Sequence, residues 1–361
     1  MNYYIIPKTN CNINIVIAQT IHDIIPIVSY SLIFYLNKTY ERICQISDSE
    51  LVETVSKFVN PYEFIYTSVP GSHMSVSKVN PGAHIFFEIL EIIQICGLSE
   101  LVNIDNAINA AYLSHNHSSI DELFTMLRYN DSDTKFGIDF NYDNLCDIFI
   151  NTAREQTLEL IICEFPIQTY ENINMYIRSL LLVLSIIVKN QANNGICIIK
   201  IDNIFYTPIL EFIFLLSTVY EKMYIIKPVI SNITKSERYI VCKQFKTSNC
   251  VKQALLQQVE TAVVPILSHN ELIQSILANK IPYYFINKIE ELNLNIGQQQ
   301  IETYDQIINI CRCINIEDKL EILKRSNIPK CITWCEKNKL PHNKFIDKLN
   351  IFLNSIAPLN I

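Results

Sequence analysis

The residues best placed to do chemistry lie between Gly195 and Lys246. Lys200 ends the apolar run Gly195-Ile196-Cys197-Ile198-Ile199. Downstream come Lys227-Pro228, a polar loop, and Ser236-Glu237-Arg238-Tyr239 opening a further apolar stretch. A lysine amine can act as a base only when drawn down from its ordinary value of about 10.4 toward neutrality. A second cation and a dry pocket do that, and added carboxylates oppose it. Without context, a strand-end lysine more often simply reaches solvent. Upstream, Leu158–Cys163 runs into Glu164, and Glu88 sits within the apolar stretch His84–Ile92. Ser114-His115-Asn116-His117-Ser118-Ser119 is a polar stretch without glycine, and Asp139 follows Phe136-Gly137-Ile138.

No metal is expected. The His115-x-His117 pair has no acids placed to complete a site. Cys311-x-Cys313 and Cys331-x3-Cys335 lack the C-x2-C spacing of zinc ligands and read as core thiols.

These residues need elements to hold them. From about 98 to 245 short apolar runs alternate with amphipathic ones. Strands are predicted at Leu101–Ile104, Phe136–Phe140, Leu158–Cys163, Ile196–Ile201, Met223–Ile226 and Tyr239–Cys242. Helices are predicted at Ser119–Arg128, Tyr170–Lys189 and Thr207–Tyr220. This alternation points to an α/β fold, a mostly parallel sheet with helices on both faces. Such a fold places ligands at the carboxyl ends of its strands. Before it, Tyr3–Ile6 and Ile13–Ala18 read as strands and Ile27–Tyr35 as a helix. Ala83–Cys96 has helical spacing with Gly97 as its C-cap. After it, Gln253–Val263, Asn270–Ala278, Phe285–Leu292, Tyr304–Cys313, Ile316–Lys324 and Lys344–Ile356 all read as helices. The resulting division is an N-terminal accessory segment (1–75), an α/β domain (76–248) and an α-helical C-terminal region (249–361).

With 361 residues, 49% of them hydrophobic, the chain can bury a large core. Its net charge of −7 excludes non-specific gripping of duplex nucleic acid over a broad face. It leaves room for a local basic groove or a small pocket for an RNA end. Twelve unevenly spaced cysteines and an N-terminus without a secretory pattern point to free thiols in a reducing compartment. Leu180–Val188 is about half the roughly 20 residues of a membrane span, so a buried helix is expected there and no membrane partner.

The order Lys200, helix, Lys227-Pro228, polar loop, Ser236-Glu237-Arg238-Tyr239 resembles the C-terminal half of the FtsJ-like RNA 2'-O-methyltransferases. The resemblance covers roughly 80–246 and is closest from 195 to 246. It implies a Rossmann-like methyltransferase sheet, S-adenosylmethionine as cofactor, RNA (a cap or structured RNA) as substrate, and a Lys-Asp-Lys-Glu tetrad as the catalytic set. Lys200 matches the second lysine and Glu237 the glutamate. Glu164 falls on the aspartate position, with one methylene more. Glu88 falls on the first lysine, reversing its charge, and Lys78 stands ten residues earlier. One lysine against three acids sums to −2, a field that favours the ammonium over the neutral amine. The P-G-G-F-type cofactor turn is replaced by Ser114 to Asp121. Ser114, His115, Ser118 and Ser119 would then bind the cofactor, a serine would cap the following helix, and Asp139 would hold the cofactor ribose.

The chain also looks like the divergent members found in large cytoplasmic DNA viruses, in keeping with six glycines and abundant Ile, Asn and Tyr. The implied setting is the host cytoplasm, a virus factory or a virion. Two functional classes follow. One is an active methyltransferase with RNA as partner. The other is a degenerate pseudo-methyltransferase that serves as an RNA-binding or scaffold subunit for a protein partner, or as a virion structural protein.

Overall fold

The element that ends in Lys200 is an eleven-residue strand, β6 (Gln191–Ile201), buried along its apolar half on both faces. A computed structural model of the chain describes residues 3–98, 101–103, 106–128, 130–139, 157–247, 249–267 and 271–345. β6 lies inside a seven-stranded sheet of order β1-β7-β8-β6-β5-β3-β4. Its other strands are β1 (Tyr3–Ile6), β3 (Asn109–Leu113), β4 (Thr134–Ile138), β5 (Leu158–Cys163), β7 (Tyr220–Ile226) and β8 (Arg238–Phe245). β4, β3, β5 and β6 pair in parallel, β8 runs antiparallel between β6 and β7, and β1 closes the far edge antiparallel to β7. The fold class is therefore the Rossmann-like α/β sheet expected from the sequence, with helices following in the C-terminal region.

Two crossovers, of the kind that is right-handed almost without exception, leave the middle of this sheet in opposite directions. From β3 the chain passes through α4 (His117–Leu127) to β4; from β5 it passes through α5 (Ile167–Glu171) and α6 (Ile173–Asn190) to β6. They place α4 and α6 on opposite faces. They also make the carboxyl ends of β3 and β5 the topological switch point, where the crevice of an open α/β sheet takes its ligand.

α6 begins at Asn172, whose side chain accepts from the N–H groups of Asn174 and Met175, an N-cap worth about 1 kcal/mol. Tyr176 to Val188 are buried almost without break. Among the described residues α6 is long and apolar enough to cross a membrane, and here that surface packs in the core. α7 (Thr207–Val219) carries Pro208 in its first turn, where no N–H is needed. Its Glu211 carboxylate accepts from Ser275 Oγ and from the N–H groups of Ile276 (2.6 Å) and Leu277 (3.2 Å). That bond pattern holds β9 (Leu272–Leu277), which pairs antiparallel with β2 (Ile15–Thr20).

By internal packing the chain forms two units, each assembled from three stretches. The sheet unit comprises Met1–Tyr35, Leu98–Pro228 and Ser236–Gln298; the other comprises Leu36–Gly97, Val229–Lys235 and Gln299–Ile361. The second unit is helical. It contains α2 (Ser49–Val59), α3 (Ile85–Cys96), α10 (Ile316–Lys337), and the ends of α1 (Tyr30–Cys44) and α9 (Tyr283–Cys311). Val55, Val59, Ile307 and Ile310 form one of its apolar clusters. Gly97 ends α3 in the left-handed conformation, φ 57°, a position that favours glycine. Glu91 of α3 is buried and accepts from Val229 N–H (2.9 Å), Ile230 N–H (3.2 Å) and Trp334 Nε1 (3.0 Å).

Several elements differ from the sequence reading. Residues 101–103 are not a strand; the first sheet strand after α3 is β3, whose Ala110 and Ala111 carry little strand propensity. Leu272–Leu277 is a strand and not part of a helix over Asn270–Ala278. Its helix-compatible spacing yields to pairing with β2 and to Glu211. Phe285–Leu292 and Tyr304–Cys313 belong to the single helix α9, and the helix read at Ile316–Lys324 continues to Lys337. The helix read at Ile27–Tyr35 starts at Tyr30 and reaches Cys44. The helix read at Lys344–Ile356 falls from residue 346 onward outside the described residues.

Candidate active site

Three of the acidic and basic residues singled out above meet at the carboxyl ends of β5 and β6. Lys200 is the penultimate residue of β6 and is 9% exposed. Its Nζ lies 3.2 Å from Glu164 Oε1 and 3.5 Å from Glu237 Oε2, and 5.8 Å from the centroid of the Tyr239 ring. Tyr239 stands directly opposite Lys200 in the β6–β8 register. Glu164 follows β5 and is tied to the neighbouring strand by its N–H on Leu113 O (2.9 Å). Glu237 immediately precedes β8. The carboxylates are thus set by strand ends, and the lysine between them by the centre of the sheet.

Around this trio the packing is aromatic and closely bonded. Tyr170 donates its hydroxyl to Lys200 O (3.2 Å), and the hydroxyl of Tyr176 accepts from Asp202 N–H (3.1 Å). Burial pushes both phenols far up, so both stay neutral. Asp202 is hydrogen-bonded to Ser236 Oγ. Arg238, fully buried, donates to Ser236 O (2.9 Å) and Asn293 Oδ1 (2.9 Å). Burial pulls its guanidinium down to about 10 while the charge of Asp202 opposes that fall, and it remains a cation at neutral pH. Lys227 is also buried and donates to Glu237 O (3.1 Å).

Glu88 belongs to the helical unit, buried on α3, with His84 Nδ1 at 3.5 Å from its Oε1. Lys78 is an exposed residue of the same unit.

The stretch in place of the cofactor turn lies between β3 and α4. Ser114 is fully buried and donates to Glu164 Oε2 (2.7 Å), while its Oγ accepts from Asn116 N–H (2.9 Å). Asn116 Nδ2 donates to the same Glu164 oxygen (3.1 Å). No serine caps α4. The N-cap residue is Asn116, without a side-chain capping bond, and Ser118 and Ser119 lie inside the first turn, Ser118 exposed and Ser119 buried. The cap is lost because the asparagine side chain is turned to Glu164. Asp139 is exposed just beyond β4, with His117 Nε2 at 3.6 Å and His115 Nδ1 at 3.9 Å from its Oδ1. The His117 ring packs onto Gly137, where an added Cβ would come within 2.6 Å of Nδ1. Among the described residues no group of three or more His, Cys, Asp or Glu side chains is arranged to hold a metal ion.

No family model matches the chain. An alignment 175 residues long, covering 45% of the chain, is 25% identical to the cap-specific mRNA (nucleoside-2'-O-)-methyltransferase 1 of Drosophila melanogaster. The chain spans about a fifth of that relative's length, 22%. Two solved structures match part of the chain. One is Haemonchus contortus phospholethanolamine N-methyltransferase 2 with S-adenosylhomocysteine and phosphomonomethylethanolamine (9% identity, TM-score 0.27, covering 48% of this chain and 42% of that one). The other is human methyltransferase-like protein 13 with SAH (12% identity, TM-score 0.25, covering 48% of this chain and 91% of that one). Neither informs the site.

The sequence reading missed Asn116, Lys227, Tyr170 and Asp202. Lys227 was visible in the Lys-Pro pair and Asn116 in the glycine-free loop, both types that bond locally. What no spacing reveals is that Lys227 is buried and that Asn116 faces a strand end some fifty residues away.

Proposed function

We propose that this chain is an S-adenosylmethionine-dependent methyltransferase acting on an RNA ribose 2'-hydroxyl. The observation that carries the reading is Lys200, held between Glu164 and Glu237 at the carboxyl end of the sheet beside the switch point. The partial sequence similarity to a cap 2'-O-methyltransferase supports it. The residues at the crevice fit such a cofactor. An exposed carboxylate, Asp139, stands at the end of the strand next to β3 and can accept from ribose hydroxyls. The bound cofactor would supply an activated methyl group on sulfur. Lys200 would take the proton of the 2'-hydroxyl in its neutral-amine form, a form that the two flanking carboxylates make scarce. Glu164 and Glu237 would hold the amine in line, and the neutral phenols of Tyr170 and Tyr176 would exclude water around it. An RNA partner and a reducing, cytoplasmic setting, viral or otherwise, belong to the same proposal.

A second reading, a pseudo-methyltransferase that binds RNA or a protein partner, is favoured by one observation: Ser114 and Asn116 are engaged with Glu164.

Calorimetric titration with S-adenosylmethionine and S-adenosylhomocysteine separates the two. Binding at roughly micromolar level, with methylation of capped RNA that Lys200→Ala abolishes while binding stays within about threefold, is the expected result. No binding up to about millimolar ligand sinks the enzyme and leaves the scaffold.

A further inference from the structure

Glu164 presents its two oxygens to different parts of the molecule. Oε1 faces Lys200 Nζ at 3.2 Å. Oε2 accepts from Ser114 Oγ at 2.7 Å and Asn116 Nδ2 at 3.1 Å. Ser114 is itself fixed, since its N–H donates to Ile138 O (3.1 Å) and its Oγ accepts from Asn116 N–H. Asn116 is the N-cap of α4, a position where an asparagine side chain ordinarily accepts from the helix's own N–H groups. Here it makes no capping bond. Forgoing the cap is explained by what the side chain gains, a hydrogen bond to a charged carboxylate, stronger than one to a neutral partner.

We propose that Ser114 and Asn116 are positioning residues that clamp Glu164 against Lys200, so that the β3–α4 loop and the proton on Lys200 are linked. Two departures from the family pattern then act as one device. The loop that lost its glycines holds the carboxylate that gained a methylene. A ligand that moves the loop releases Oε2, loosens Oε1 and changes the proton affinity of Lys200. By reciprocity, the state of Lys200 alters ligand affinity at the loop. The inference deepens the proposed function at the same site, but its first test needs no methyl donor.

The test uses the full chain and competitive acylation of lysines across pH, with Lys200 followed by peptide mass spectrometry. Its readout is the pH at which Lys200 is half reactive. Asn116→Ala and Ser114→Ala should each lower this midpoint by about half a pH unit or more, because the carboxylate favouring the ammonium is no longer aimed. Glu164→Gln should lower it further, and in that background Asn116→Ala should add nothing. Asn116→Ala loses its bond to Glu164, so its urea midpoint should fall, and acylation is read at urea-free conditions where circular dichroism shows the variant folded. An unchanged or raised midpoint in both single variants, or an equal further shift in the Glu164→Gln background, overturns the clamp. A chain that binds no S-adenosylhomocysteine yet shows the shift would remove the proposed enzyme and keep the clamp.

Discussion

At the end of β5, Glu164 spans from the β3–α4 loop to Lys200, and its length matters. An aspartate at this position is shorter by one carbon–carbon bond. It cannot keep both the Ser114–Asn116 contacts and the 3.2 Å approach to Lys200. Glu164→Asp, although it restores the residue the family resemblance leads one to expect, should therefore lower the single-turnover methylation rate by about tenfold or more. A rate equal to or above that of the native chain would remove the spanning role. Glu91 offers a residue-level test in the helical unit. Burial raises its carboxyl above the ordinary value, and the bonds from Val229, Trp334 and Ile230 only partly offset that. A carboxyl raised in the folded state holds its proton more tightly there than in the unfolded chain. Its contribution to stability is therefore full below the unfolded value and is lost as pH rises through the folded one. Urea unfolding at steps between about pH 4 and 8 should show this fall in the native chain, and Glu91→Gln should flatten it.

At the scale of elements, the contact between α4 and β4 rests on one missing side chain. Gly137 lets the His117 ring lie on the strand. Gly137→Ala should push that ring away from Asp139 at a cost of about 1 kcal/mol, seen as a lowered urea midpoint and as shifted His117 imidazole resonances. Unshifted resonances would show that the strand gives way instead. The elements also show what periodicity can and cannot read. β5, β6 and β8 are apolar runs bounded by polar turns, and each was legible as a strand. β9 was not, because its spacing fits a helix equally well and only pairing with β2 and capping by Glu211 decide it. β3 was displaced because two alanines carry no strand signal, although burial on both faces suits small residues there.

For the molecule as a whole, a net charge of −7 limits how RNA can be held. A few local contacts must suffice, so log affinity for a short capped RNA should fall against log salt with a slope no steeper than about −2. Fluorescence anisotropy over a salt series measures it; a slope several times steeper would mean an extended basic track. The described cysteines are free thiols, consistent with a chain that relies on its core and not on cross-links. That core is large: the sheet shares one continuous cluster with α6 and α7, running from Ile6 to Ile296.

The sequence alone determined the α/β class, the strand ends that carry Lys200, Glu164 and Glu237, and the absence of a glycine turn before α4. Each is a local property, set by an apolar run, its length and the residue that ends it. Tertiary structure decided the rest. It turned the Asn116 side chain from its helix to Glu164, buried Lys227 beside Glu237, made Leu272–Leu277 a strand, and placed Glu88 in the helical unit. Those outcomes depend on contacts between residues far apart in the chain. Such contacts set burial, hydrogen-bond partners and charge balance, and no window of sequence contains them.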